Sequence, residues 1–356
     1  MKKVAQKRGK VELKGSTCYI GVDVHKLTYY VAILSSEGHR VEFSYPADPE
    51  GFIRKLKDMG ISIQCLVFES GPTGYELAWQ CQEAGIPVMV TAASKVPRPI
   101  TAGGKTDRLD GIKLAEYLAK GVLKGLSIPT REEFSLRELE RGRQQLVKHR
   151  KKLRQQIKSF LLKNHIEAPP GLTQWTKSGM EALKRLELGH RHLRLTLDSY
   201  LRQLEYTLQE IEEMKAALSR EMVSQGKEEQ IKNLKTIPGI GETISHTFTA
   251  EIFRPERFDC AEEVCAYVGL APIISQSGQS KGVARLQRVG QIYLRSILVE
   301  AAWILIGKET YYKQIYNKIR SKTNLPQKAI TAVARRLLLI MWRVAVEKRA
   351  YQPKSI

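Results

Sequence analysis

Four carboxylates in the first third of the chain have the types and the placing that a two-metal site acting on a phosphodiester requires. Asp23 closes the apolar run Tyr19-Ile20-Gly21-Val22, Glu69 closes Cys65-Leu66-Val67-Phe68, and Asp107 and Asp110 open a helix-like stretch. Strand ends and a helix start can converge on one spot, and four acids gathered there repel one another unless a cation binds between them. The chain that carries them has a formal net charge of +21. Acids concentrated inside a basic protein point to Mg²⁺ chemistry on a polyanion, most simply nucleic acid.

A second group with chemical potential lies far downstream. Gly269-Leu270-Ala271-Pro272 leads into Ile273-Ile274-Ser275-Gln276-Ser277-Gly278-Gln279-Ser280-Lys281-Gly282, a small, polar, flexible loop expected between two helices. A serine beside glycine on such a loop can attack phosphorus once its hydroxyl is activated. With Ser275, Ser277 and Ser280 all present, residue types alone do not choose the nucleophile.

The elements that must position the acids follow a recognisable order. Tyr19–Asp23 and Tyr29–Leu34 read as strands joined by the turn at His25-Lys26, and Val41–Tyr45 as a third. A helix over Pro49–Met59, a strand at Gln64–Glu69, a helix over Gly74–Ala84 ending at Gly85, and a β-rich run Pro87–Thr91 come next. With a further helix from about Asp107 to Lys120, this is the order of an α/β RNase H-like (RuvC-like) domain. The i,i+3 spacing of Asp107 and Asp110 puts both on one helix face. Between them and the last strand, Thr91–Lys105 reads as a mobile loop whose Lys95, Arg98 and Lys105 could steer a phosphate backbone; an ordinary solvated loop is the alternative.

From Glu132 to about Val223 the character changes to long charged helices. Leu139, Leu146, Leu153 and Phe160 recur every seven residues, with Leu136 and Ile157 on the alternate seam and Arg143 and Arg150 interrupting it. After the break at Ala168-Pro169-Pro170-Gly171, a second heptad run follows through Leu197, Leu201, Leu204, Leu208, Ile211 and Leu218. The pair reads as an antiparallel helical hairpin or coiled coil. Its basic arm, Lys148-His149-Arg150-Lys151-Lys152 with Arg154 and Lys158, is either a nucleic-acid contact or a solvated face.

From Glu228 the chain reads as a compact, all-α C-terminal domain. Ile237-Pro238-Gly239-Ile240-Gly241 is a helix-hairpin-helix signature, in which Gly239 and Gly241 let backbone N–H groups approach a phosphate; the same turn also serves plain helix packing. Tyr293–Ile306 and Ala329–Val346 are further helices, the second carrying Arg335, Arg336 and Arg343 beside an apolar face.

At 356 residues the chain can hold two or three domains. Hydrophobic content of 42% with 27% charged residues describes a globular protein, and no apolar run reaches the roughly 18 residues a membrane span needs. The basic start Met1-Lys2-Lys3 has no apolar stretch behind it, so it reads as an arm over 1–16 rather than a signal peptide. Cys18, Cys65, Cys81, Cys260 and Cys265 form no CxxC pair, which argues for reduced cytoplasmic thiols rather than zinc.

Taken together, Gly21-Val22-Asp23-Val24-His25-Lys26, Phe68-Glu69-Ser70-Gly71-Pro72-Thr73-Gly74, Lys105-Thr106-Asp107-Arg108-Leu109-Asp110, Ile237-Pro238-Gly239-Ile240-Gly241 and Gly269-Leu270-Ala271-Pro272 through Ser277-Gly278 resemble the DEDD insertion-sequence transposases, the serine recombinases guided by a bridge RNA. The resemblance runs from about residue 17 to 347. It implies a RuvC-like catalytic domain at 17–130, a coiled-coil insertion at 131–226 and a C-terminal transposase domain at 227–350. Asp23, Glu69, Asp107 and Asp110 match the D-E-D-D positions and carry over as ligands of Mg²⁺ or Mn²⁺. Ser277 matches the nucleophile that forms a 5′-phosphoserine. Donor and target DNA, a structured guide RNA and a homo-oligomer of paired dimers are the implied partners, in the cytoplasm and on the nucleoid. Lys105, Arg108, Lys281, Arg285 and Arg288 are the candidate nucleic-acid contacts. Gly111 departs from the family's usual alanine.

Three rival readings use part of the same pattern. A hydrolytic RuvC-like nuclease or Holliday-junction resolvase needs the carboxylates but no serine. An actin-like sugar kinase also ends its first strand in Asp, but needs glycine-rich phosphate loops in its second half and leaves the charge unexplained. In a non-catalytic nucleic-acid-binding protein the acids would be caps and ion-pair partners.

Overall fold

The run Thr17–Val24 folds as strand β1, and its Ile20, Gly21 and Val22 are buried on both faces, as a central strand requires. The computed structural model describes residues 13–93, 95–97, 107–275, 283–286 and 290–353, with backbone alone at 107–108, 273–275 and 283–285. The chain divides between Thr130 and Arg131 into two compact units.

In the first unit, β2 (Thr28–Ser35) and β3 (Arg40–Pro46) extend β1 as antiparallel neighbours. Helix α1 (Pro49–Asp58) starts with Pro49 and Glu50 and ends with Lys55 and Lys57, the polarity its dipole favours. Strand β4 (Ser62–Glu69) then lies parallel to β1, helix α2 (Glu76–Glu83) crosses back, and β5 (Val88–Thr91) pairs parallel to β4. After α3 (Asp107–Ala119), the two-residue β6 (Gly125–Leu126) closes a six-stranded sheet in the order β3-β2-β1-β4-β5-β6. This mixed sheet fits an RNase H-like domain.

Side-chain alternation sorts the sheet's two faces. Ile20, Val22, Leu66 and Phe68 point to one side and pack with Phe52 and Leu56 of α1 and Leu77, Ala78 and Cys81 of α2. Gly21 and Val67 face the other side, where α3 lies with Leu114 and Leu118.

The second unit opens with α4 (Arg131–Lys163), followed by α5 (Lys177–Arg185) and α6 (Arg191–Ser224). Leu153, Ile157 and Leu161 near the end of α4 share a core with Leu197, Leu201 and Leu204 near the start of α6, while Leu136 at the start of α4 meets Leu218 and Met222 at the end of α6. The two helices therefore run antiparallel. Arg143, a break in the apolar seam, is buried: its Nε and Nη2 donate to Glu140 at 2.8 and 2.7 Å, and Thr247 donates to the same carboxylate at 2.6 Å. Burial alone would lower the Arg143 pKa, but the hydrogen bond and charge of Glu140 outweigh it and hold the guanidinium above its ordinary range.

Helices α7 (Glu228–Leu234), α8 (Glu242–Ile252), α9 (Ala261–Val268), α10 (Ile292–Lys308), α11 (Thr310–Thr323) and α12 (Pro326–Glu347) close a second core around Phe248, Leu298, Ala302, Leu337 and Leu338. This region is not all helix. Pro272–Ser275 and Val283–Leu286 form an antiparallel pair, β7 and β8, where the sequence suggested only a loop between helices. β-branched Ile273, Ile274 and Val283 suit a ladder, and the Ser/Gly run between the strands hid it. No described helix is long and apolar enough to cross a membrane.

Candidate active site

Asp23 and Glu69 reach one place because of strand register. Val22 pairs with Phe68 across the parallel β1–β4 ladder, and Asp23 and Glu69 are the next residue in each strand. Both sit two residues beyond the positions that face α3, so alternation turns both carboxylates to that side. The Asp23 side chain is 22% exposed, and Glu69 and Asp110 are likewise half-buried.

Helix α3 comes to the same end of the sheet through a backbone contact between two glycines. A Cβ on Gly21 would lie 2.2 Å from the Gly111 carbonyl oxygen and 2.5 Å from the Ala115 nitrogen. A Cβ on Gly111 would lie 3.1 Å from the Tyr30 ring, so the glycine at the position where the resemblance usually has alanine is what the close approach uses. Asp110 precedes Gly111 and Asp23 follows Gly21 by two, so the glycine contact brings the helix start to the strand end. Asp107 begins α3; its side chain and that of Arg108 lie outside the described residues, as does Lys105.

The sequence reading gave His25 no role, yet its Nε2 lies 3.0 Å from Asp23 Oδ2. The half-buried carboxylates of Asp23, Glu69 and Asp110 offer the hard oxygen donors that divalent cations prefer. Among the described residues no group of three or more His, Cys, Asp or Glu already stands close enough to hold a metal ion. The donor type and the shared face of these carboxylates fit a divalent metal.

Ser277, Lys281 and Arg288 lie outside the described residues, and Arg285 is described by its backbone in β8 alone. The segments that flank the β7–β8 pair meet in space. Gly269 caps α9 in the left-handed conformation, and a Cβ on Gly290 (φ +97°) would lie 2.7 Å from the Gly269 nitrogen. Arg295 Nη1 donates to the Gly269 carbonyl at 3.1 Å. Gly290 and Arg295 carry no motif of their own, and only their neighbours in space reveal the clamp.

At the glycine-rich turn, the two glycines differ. Gly239 has φ +88°, and an added Cβ would lie 2.8 Å from the Ala301 carbonyl of α10, so helix packing accounts for it. Gly241 is the N-cap of α8, with open space around it. Glu242 in the first turn of that helix pairs with Lys215 at 3.4 Å.

A mixed sheet with acids at the ends of adjacent parallel strands, followed by a helical region, fits an RNase H-like domain joined to a helical one, and relatives by sequence supply the class: an enzyme acting on DNA, a transposase. The sequence models agree: the DEDD transposase family matches residues 20–166, and the IS116/IS110/IS902 transposase family matches residues 231–317. The transposase-named y4qE protein of Sinorhizobium fredii is 27% identical over 93% of this chain and 89% of its own length. The transposase for insertion sequence IS1533 of Leptospira borgpetersenii is 27% identical over 80% of this chain and 84% of its own. The pilin gene-inverting protein of Moraxella bovis is 27% identical over 70% and 69%. The chain belongs to the DEDD insertion-sequence transposases of the IS110 type. That membership carries dependence on a divalent metal in general.

Proposed function

We propose that this transposase cleaves and exchanges strands between donor and target DNA through a 5′-phosphoserine on Ser277, guided by a structured RNA. The observation that supports it is the register that sends Asp23 and Glu69 to one face of the sheet, with the Gly21–Gly111 contact bringing Asp110 to the same end. On this reading Asp23, Glu69, Asp107 and Asp110 hold Mg²⁺, or Mn²⁺ in its place. When bound, the metal would polarise the scissile phosphate and lower the pKa of the attacking hydroxyl. Ser277 Oγ forms a bond to phosphorus, the P–O3′ bond breaks, and the 3′-oxygen leaves as a hydroxyl with the proton. Attack of another strand's 3′-hydroxyl on the phosphoserine rejoins DNA and returns the proton to serine, so no bond energy is lost to hydrolysis.

The finer assignments belong to the same proposal. Residues 17–130 act as the RuvC-like catalytic domain, the α4–α6 pair at 131–226 as a coiled-coil arm, and 227–350 as the serine-bearing domain with a helix-hairpin-helix at α7–α8. Lys105, Arg108, Lys281, Arg285, Arg288 and the open Gly241 end of the glycine-rich turn contact nucleic acid, while Gly239 serves helix packing. The working form is an oligomer of paired dimers, acting on the nucleoid. The pilin gene-inverting relative lends support, since its name describes a rearrangement of DNA.

Denaturing electrophoresis of protein mixed with Mg²⁺, the RNA encoded beside its gene, and labelled donor and target DNA tests the proposal. A DNA-linked peptide at Ser277, absent in Ser277→Ala and in Asp23→Asn, is the expected result. Cleaved DNA without an adduct would instead identify a hydrolytic RuvC-like nuclease.

A further inference from the structure

The far end of the α4–α6 hairpin holds a groove of about 810 Å³, within the range of about 300–1,000 Å³ that built ligand sites occupy. Its α4 wall carries Lys148, Lys151, Lys152 and Lys163, and no carboxylate lines it. No acidic residue occurs in the chain between Glu140 and Glu167, so this wall has no internal counter-charge of its own helix. Such a surface favours an anion.

Charge is only half of the groove. Phe160 of α4 and Tyr200 of α6 both line it, with ring centroids 6.1 Å apart in an edge-to-face arrangement. Gln156, Ser159 and Asn164 add neutral hydrogen-bonding groups beside the rings. Lysines beside a stacking platform are what an unpaired nucleotide needs: cations for the backbone and an aromatic face for a base. Duplex DNA offers the phosphates but keeps its bases stacked, so it would leave the aromatic pair unused. Stable unpaired bases are supplied by the loops and bulges of folded RNA, whose 2′-hydroxyls also meet neutral polar side chains.

We infer that this groove binds an unpaired segment of RNA, with the lysines on its phosphates and a base stacked against the Phe160–Tyr200 pair. The inference rests on the proposed dependence on RNA and adds to it a location on the hairpin.

Fluorescence anisotropy with the full-length protein tests it, using a labelled oligouridylate of about ten nucleotides, within the lengths single-strand grooves cover. A matched oligodeoxythymidylate and a short DNA duplex serve as comparisons. Wild-type protein should hold the oligouridylate more tightly than either. Tyr200→Ala should weaken it about fivefold or more, the loss of one stacked base, while Tyr200→Phe keeps the affinity. Because Tyr200 also packs on the hairpin core, the exposed pair Lys151→Gln/Lys152→Gln provides a variant that leaves the fold alone. It should reduce the salt slope by about 1.4, or about 0.7 for each lost phosphate contact. Oligouridylate binding unchanged in both Tyr200→Ala and the lysine pair would overturn the groove. Equal binding and equal loss with oligodeoxythymidylate would overturn the choice of RNA. Strand exchange that proceeds without RNA, while these variants still lose oligouridylate, would overturn the guide-RNA reading and leave the groove standing.

Discussion

Gly21 is set in the middle of a strand, where glycine usually weakens packing, and the structure gives it a purpose. The two atoms nearest to a Cβ there, the Gly111 oxygen at 2.2 Å and the Ala115 nitrogen at 2.5 Å, both belong to the α3 backbone and cannot rotate away. Gly21→Ala must therefore push the helix off the sheet and carry Asp110 with it. Overpacking of this kind costs about 1–3 kcal/mol. Denaturant unfolding of full-length Gly21→Ala should show a loss in that range, with strand exchange falling further than stability accounts for. Gly189→Ala is the control: its Cβ meets nothing, and the change should stay within about 0.5 kcal/mol. Unchanged stability in Gly21→Ala would mean that α3 is not held against β1 at this point. The sequence displays Asp23, Glu69, Asp107 and Asp110 because acids at the ends of apolar runs are visible locally. It does not display Gly21 and Gly111 as partners, since nothing local links residues ninety positions apart on a strand and a helix.

Among the elements, the hairpin pair shows how a polar break in a heptad can be structural. Arg143 reads as a defect in an apolar seam, but its partners are Glu140 one turn back, the Tyr293 hydroxyl of α10, to which Nη2 donates at 3.3 Å, and, through the Glu140 carboxylate, Thr247 on α8. Removing one member strands a buried charge. Arg143→Met should destabilise the protein by about 3–5 kcal/mol, and Glu140→Leu/Arg143→Met should recover much of that loss, because an apolar replacement of both charges leaves none uncompensated. Calorimetry of the two variants decides it; a double variant no better than the single would show that the ion pair is not what Arg143 provides. The heptads, the alternating strands and the helix at Pro49 were legible because periodicity and capping are local signals. The two-residue β6 was not, since it exists only through pairing with β5, and β7–β8 was hidden by the Ser/Gly run between its strands. Thr247 could not be matched to Glu140 from sequence for the same reason: the contact spans a hundred residues and leaves no periodic trace.

At the scale of the whole molecule, each unit has apolar clusters of its own among the described residues. Those containing Ile20, Ala32 and Val67 draw every member from before Thr130, and those containing Phe248, Leu153 and Leu136 draw every member from after it. Cores that close within a unit let each unit fold on its own. The proposed chemistry, by contrast, is split: all four carboxylates belong to the first unit and Ser277 to the second. The first unit expressed alone should therefore unfold in one cooperative transition and bind Mn²⁺, measured by electron paramagnetic resonance, with Asp23→Asn abolishing the binding. The same unit should form no DNA adduct, because its metal ligands have no serine to serve. An isolated first unit that fails to fold would place part of its stability in the second. A folded unit that binds no Mn²⁺ would remove the carboxylates from the metal assignment and return them to a structural role at the strand ends.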